Sequence, residues 1–207
     1  MKNIAIIPAR SGAKGLKNKN IRDLYGKPLM AYTIEASIES GEFEEVMISK
    51  DSEKYAESAR QYGANVPFLR STMTSSDTAS SWNMVEEVLK GYKQCGREFD
   101  TFCLLQPTSP LRSVDDITST YQLHRQKAEF AVVSVCEAEH SSLWCGNLPK
   151  NGEFIGFVMS QKTSVDIDTE MDFKLAEILW RGYYLRYYYP GLLGTLLSTL
   201  EPRRRCA

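Results

Sequence analysis

Ile4-Ala5-Ile6-Ile7 runs apolar without a break and is followed at once by Pro8 and a loop loaded with cations. An unbroken apolar run this short fits a parallel strand covered on both faces, where polar alternation is lost. Pro8 ends the ladder because it has no N–H to give. Arg10, Gly12, Lys14, Gly15, Lys17 and Lys19 then follow before Asn20. Glycine lets a backbone approach a ligand closely, and successive loop N–H groups form an anion-binding concavity. Cations crowded on such a loop repel one another unless a polyanion sits among them. A nucleoside triphosphate is the natural candidate. The spacing matches neither G-x-G-x-x-G nor G-x-x-x-x-G-K-[ST], because Gly12 and Gly15 stand too close and Leu16 follows Gly15. A basic surface turn would explain the loop taken alone, so the rest of the chain has to decide.

Strand and helix signals alternate from there on, which argues for an α/β fold with a mostly parallel sheet and helices on both faces. Leu29 to Ser40 reads as a helix closed by Gly41, and Val46 to Ser49 as a strand. Ser52 caps a helix to about Tyr62, with Gly63 beyond its end. Asn65 to Leu69 is expected as a short strand. A helix opens at Ser80 or Ser81 and runs to about Cys95, with Trp82, Val85, Leu89 and Tyr92 at helical spacing. Thr101 to Leu105 reads as a buried strand. Ser113 then caps a helix whose first turn holds Asp115 and Asp116, the sign the helix dipole favours. Phe130 to Val135 is the next strand. Ser164 to Asp168 reads as a strand end, and Thr169 or Asp172 opens a helix through Leu179.

Composition narrows the setting. The chain of 207 residues is about one α/β domain in size. Its net charge of -1 gives no global pull toward nucleic acid or a membrane surface, so the local cations are what matter. No apolar run approaches a membrane span, and the N-terminus enters a strand without a signal-peptide layout. Five cysteines without a C-x-x-C pair read as reduced thiols, and the chain is expected in the cytoplasm. His124 and His140 lack metal-ligand spacing.

In open α/β sheets, ligands bind outside the carboxyl ends of the strands. The 10–20 loop, Asp51, the turn from Gln106 to Arg112 and the Asp166/Asp168 pair all fall there. Asp166-Ile167-Asp168 places two carboxylates on one side of an extended segment, within reach of one hard cation. Mg²⁺ takes one or two protein carboxylates and completes its shell with water and phosphate oxygens. Cations and Mg²⁺ together neutralise a triphosphate. Pro107 and Pro110 stiffen the turn that carries Gln106, Thr108 and Ser109, groups suited to hydrogen bonds with a sugar or base. Arg70 and Asp77-Thr78-Ala79-Ser80-Ser81 make a third polar patch, where a cap alone would be the plain explanation. No G-x-S-x-G elbow is present, so the implied chemistry is positioning and electrostatics at phosphate.

At these residues the chain resembles the acylneuraminate cytidylyltransferases. The matching motifs are Ile7 to Leu16 with Lys19-Asn20, then Ser76 to Ser81, Leu104 to Arg112, and Ser164 to Asp168. They cover residues 1 to about 145, and again from about Gly152 to about Leu179. The resemblance implies a Rossmann-like nucleotide-diphospho-sugar transferase fold. It also implies transfer of CMP from CTP to the anomeric hydroxyl of a nine-carbon acidic sugar, with pyrophosphate leaving. By similarity, Arg10, Lys14 and Lys19 hold the triphosphate with Ser11 and Gly12. Asn20, Arg70 and Ser81 contact the cytidine part. Gln106, Thr108 and Ser109 face the substrate, and Asp166 and Asp168 hold Mg²⁺, with Asp168 counted as catalytic alongside Arg10, Lys14 and Lys19. The alternatives are another nonulosonic acid, legionaminic or pseudaminic, or a CTP-binding remnant with little catalysis.

The chain departs from the pattern in three places. Ala13 stands where the family usually carries serine. Between Trp144 and Gly152 it is shorter than typical members by the stretch that supplies sugar contacts and the dimer arm, so the family dimer is expected to be weakened or lost. The expected organisation is a cytidylyltransferase domain over 1–180 and an atypical tail over 181–207. That tail is crowded with Tyr183, Tyr184, Tyr187, Tyr188 and Tyr189 and carries Arg203-Arg204-Arg205.

Overall fold

The computed structural model describes residues 1–9, 15–71, 80–136 and 154–188. Its centre is a three-stranded parallel sheet in the order β4-β1-β5, formed by β1 (Asn3–Pro8), β4 (Glu45–Ser49) and β5 (Thr101–Leu104). Between β1 and β4 come a 3-10 turn at Lys19–Ile21, a small hairpin of β2 (Asp23–Leu24) and β3 (Lys27–Pro28), and helix α1 (Leu29–Glu39). Helices α2 (Glu53–Gln61) and α3 (Ser81–Gln94) separate β4 from β5. Helix α4 (Val114–Gln126) leads to β6 (Ala131–Cys136), which pairs in parallel with β7 (Phe154–Met159). Helix α5 (Glu170–Tyr188) follows and runs on past Leu179.

The unbroken apolar character of β1 has a simple cause. Alternate side chains leave a strand on opposite faces. Ala5 and Ile7 pack with Met30 and Ile34 of α1, Tyr55 and Ala59 of α2, and Ile117 and Tyr121 of α4. Ile4 and Ile6 pack instead with Met84, Val85, Val88 and Tyr92 of α3. Both faces are therefore covered by helices, as the sequence predicts. At about 25 cal/mol per Å² of apolar surface, each such fully buried side chain contributes roughly 1.5–3 kcal/mol.

A third apolar cluster matters more for function. Leu16 and Leu24 from the segment after β1, and Leu29 and Tyr32 from α1, pack on Ile167, Phe173 and Ala176. Trp180 meets the Tyr32 ring edge-on, at 4.5 Å between centroids. The start of α5 and the residues before it are thus anchored against the segment that follows β1.

Two strand expectations are corrected. Asn65 to Leu69 reaches the sheet only at Asn65, whose N–H donates to the Val46 carbonyl at 2.8 Å. Pro67 then removes the donor that a continued ladder would need. Ser164 to Asp168 pairs with no strand among the described residues. Its tie to the turn after β5 is the bond from the Ile167 N–H to the Thr108 carbonyl at 2.8 Å. The segment from Trp144 to Gly152 and residues 189–207 lie outside the described residues.

Candidate functional site

The carboxyl ends of β1, β4 and β5 open on one edge of the sheet, and the expected residues that can be located gather there. The segment after β1 returns through the 3-10 turn, which buries Lys19 and Asn20. The Lys19 ammonium donates to the Ile167 carbonyl at 2.6 Å and to Asp168 Oδ1 at 2.9 Å. Its side chain is 10% exposed, against 76% for that of Asp168. Two motifs far apart in sequence therefore share one ion pair.

Several further contacts hold this junction. Arg22, directly after the turn, makes a two-point pair with Glu170, both bonds at 2.5 Å, and its guanidinium lies 4.1 Å from the Phe173 ring centre. Thr169 and Asp172 cap α5 reciprocally: the Asp172 N–H donates to Thr169 Oγ1 at 3.3 Å, and the Thr169 N–H donates to Asp172 Oδ2 at 2.8 Å. The Asp168 N–H joins them, donating to Asp172 Oδ2 at 3.1 Å. These bonds to the Thr169 backbone and hydroxyl and to the Asp168 backbone hold the Asp172 carboxyl below its ordinary value. Gly15 approaches the Asp168 carbonyl so closely that a Cβ there would sit 2.5 Å from the oxygen. Close backbone approach is what this glycine provides.

The Gln106–Arg112 turn borders the same junction. Thr108 accepts the bond from Ile167 through its carbonyl, and Ser109 N–H donates to the Gln106 carbonyl at 3.4 Å. Arg112 Nη2 donates back to the Gln106 carbonyl at 3.2 Å. Ser113 then closes a full capping box with Asp116 at the start of α4. On the other side of the edge, Arg70 Nε donates to Ser49 Oγ at 3.1 Å, and its N–H donates to the Lys50 carbonyl at 2.8 Å. Arg70 is therefore fixed against the carboxyl end of β4. Ser80 is the helix cap, accepting from the Asn83 N–H at 3.2 Å, which leaves Ser81 exposed in the first turn of α3. Arg10, Ser11, Gly12 and Lys14 lie outside the described residues, as does Asp77-Thr78-Ala79.

The Asp166-Ile167-Asp168 segment behaves as an alternating stretch although it is not a ladder strand. Asp166 and Asp168 are exposed while Ile167 between them is fully buried. Hard carboxylate oxygens facing solvent beside a cationic loop suit Mg²⁺, which needs few protein ligands when phosphate supplies others. No group of three or more His, Cys, Asp or Glu side chains gathers as a metal cage among the described residues. A cation site built there would therefore draw on two carboxylates and the nucleotide.

Two charged residues near this edge carry no role in the sequence reading, where Lys50 is not named and Arg112 only closes a turn. Lys50 follows β4 and is fully buried, its ammonium donating to the Ser52 carbonyl at 2.7 Å with Glu53 at 3.7 Å. Burial pushes its pKa down against the opposing pull of Glu53. Arg112 is likewise pushed down by desolvation, against the opposing pull of its titratable neighbours Cys103, Asp116 and Asp166. Its Nη1 is buried and has no hydrogen-bond partner among the described residues. Neither leaves a sequence signal, because lysine and arginine after a strand usually point to water.

Comparisons with known proteins agree with this architecture. A family model described as cytidylyltransferase matches residues 4–142. The CMP-N,N'-diacetyllegionaminic acid synthase of Legionella pneumophila is 37% identical over 211 residues, spanning 97% of this chain and 90% of that protein. The N-acylneuraminate cytidylyltransferase of Escherichia coli O18:K1:H7 is 35% identical over 219 residues, spanning 84% of this chain and 51% of its own length. The pseudaminic acid cytidylyltransferase of Campylobacter jejuni is 39% identical over 140 residues, spanning 68% of this chain and 60% of its own. Among solved structures, the 4-diphosphocytidyl-2C-methyl-D-erythritol synthase of Anaerococcus prevotii superposes with a TM-score of 0.62 at 12% identity, over 87% of this chain and 98% of that one. That likeness shows a shared α/β fold.

Proposed function

The chain belongs to the cytidylyltransferase family, and on that premise we propose that it transfers CMP from CTP to the anomeric hydroxyl of a sialic-acid-type nonulosonic acid. The observation that carries this reading is the meeting of Lys19, from the cationic loop, with Asp168 at the carboxyl edge of the sheet. A cationic loop and an exposed carboxylate pair meeting at one sheet edge suit a single polyphosphate bound with its divalent ion.

In this reading Arg10, Ser11, Gly12, Lys14 and Lys19 receive the triphosphate, and Asn20, Arg70 and Ser81 orient the cytidine. Gln106, Thr108 and Ser109, held by the stiff turn, face the acidic sugar. Asp166 and Asp168 would hold Mg²⁺, which would draw charge from the phosphates. The sugar hydroxyl oxygen forms its bond to the α-phosphorus as the bond to the departing pyrophosphate breaks. The protein's part is to align these atoms and offset the charge that grows on the leaving group, without covalent catalysis.

N-acylneuraminate is the first acceptor in this proposal. N,N'-diacetyllegionaminate is a second, favoured because the relative named for it spans nearly all of both chains. The test is CTP-dependent pyrophosphate release with N-acetylneuraminate, diacetyllegionaminate and pseudaminate, each with Mg²⁺ and with EDTA. Release with one acid in Mg²⁺ and none in EDTA is the expected result. CTP binding without release on any acid would identify a nucleotide-binding remnant instead. No helix among the described residues is long and apolar enough to cross a membrane.

A further inference from the structure

Lys19 was expected to serve the triphosphate, yet its ammonium is committed to the carboxylate segment. Two of its three N–H groups go to the Ile167 carbonyl and Asp168 Oδ1, at 2.6 and 2.9 Å. An ammonium this close cancels much of the carboxylate's charge and repels any divalent ion that approaches it. The same ammonium cannot give its full charge to a phosphate while Asp168 holds it. The geometry is fixed rather than casual. Lys19 is 9% exposed, its turn is tied to α5 through Arg22 and Glu170, and Ile167 is locked by Thr108.

We propose that Lys19 is a coupling latch: it occupies Asp168 until a triphosphate draws the ammonium away, so that nucleotide binding and divalent-cation binding at Asp168 reinforce each other through this side chain. The inference rests on the cation reading of Asp166 and Asp168 given above. Lys19 acts on the cation through Asp168 and is in that respect a positioning residue. Reciprocity follows from linkage, because whatever the nucleotide does for the cation, the cation must do for the nucleotide.

Binding experiments separate this idea from a purely structural role. Mn²⁺ alone is titrated calorimetrically into the full chain and into Lys19→Met. Removing a half-exposed pair of this kind converts to about a two- to fivefold tightening of Mn²⁺. In EDTA, Asp168→Asn releases the ammonium and removes a negative charge, so CTP binds tighter by a similar factor. In wild type, Mn²⁺ strengthens CTP binding, and in Lys19→Met that mutual gain shrinks to what direct coordination of the cation by the phosphates supplies. Mn²⁺ affinity unchanged or weakened in Lys19→Met overturns the latch. So does CTP affinity in EDTA that is unchanged or lower in Asp168→Asn. If Lys19→Met fails to fold, the Asp168→Asn arm still decides the question. Failure of the cation reading looks different: wild-type Mn²⁺ binding would then survive both Asp166→Asn and Asp168→Asn.

Discussion

Replacing Gly15 by alanine tests the junction with the smallest possible change. The added Cβ would lie 2.5 Å from the Asp168 carbonyl oxygen, and contacts under 3.0 Å essentially do not occur, so at least 0.5 Å must be found. Both sides of the contact are backbone, so no side-chain tip can swing away. Asp168 itself is restrained, by the bond from its N–H to Asp172 and by the Ile167–Thr108 bond beside it. A half-ångström displacement along the Lys19–Asp168 bond would stretch it from 2.9 Å to about 3.4 Å, where a hydrogen bond is nearly lost. Overpacking of this kind costs about 1–3 kcal/mol. In a chain of this size that lowers Tm by roughly 2–12 °C. Catalysis should suffer more, because displacement approaching 1 Å at a reacting centre can cost about a hundredfold.

The assays are thermal unfolding, Mn²⁺ binding and pyrophosphate release on the same preparation. Gly26→Ala is the control. Gly26 has φ +83 with nothing within 4 Å of a built Cβ, so alanine there is strained without touching the junction. It should destabilise by about 1 kcal/mol and leave Mn²⁺ binding and turnover as they were. Gly15→Ala is expected to lose at least about tenfold in turnover. If it keeps wild-type Tm, Mn²⁺ affinity and rate, the close approach of the loop to Asp168 is not what builds the site.

Three other outcomes follow from single contacts. Tyr92→Phe removes the hydroxyl that donates to buried Glu45 at 2.7 Å, leaving Arg97 as its remaining side-chain partner among the described bonds; a loss of about 1–3 kcal/mol, read as a lower urea midpoint at unchanged slope, is expected with CTP binding intact. Burial pushes the Cys103 thiol up to about 11, so maleimide at neutral pH should modify exposed Cys95 and Cys136 well before Cys103, and equal rates by peptide mass spectrometry would refute the burial. Asp172 has a depressed pKa from its bonds to Thr169 and Asp168, so its contribution is present above the ordinary value of 3.8 and disappears as pH falls through the folded value; in circular dichroism, wild type should lose an acid-side increment of stability that Asp172→Asn lacks from the start.

What the sequence could disclose divides along a physical line. Local rules carried the strands and helices around the first sheet, because the Ile4–Ile7 run, the Ser113 cap and the glycines after α1 and α2 each state a backbone preference within a few residues. They failed where one residue broke a pattern, as Pro67 does after Asn65. Site residues were legible by type, since clustered cations and an Asp-x-Asp pair name phosphate and a hard ion without reference to the fold. Their arrangement was not. Lys19 reads as one more phosphate cation until Leu16, Leu24, Ile167 and Phe173 close into one apolar cluster and set its ammonium on Asp168. None of those four residues has any chemistry of its own at the site. A polar variant of Ile167, such as Ile167→Ser, would leave every charged residue in place. It should nonetheless separate the loop from the carboxylates, because the packing that joins them would be lost. The site is therefore as much a product of this cluster as of the charges it brings together.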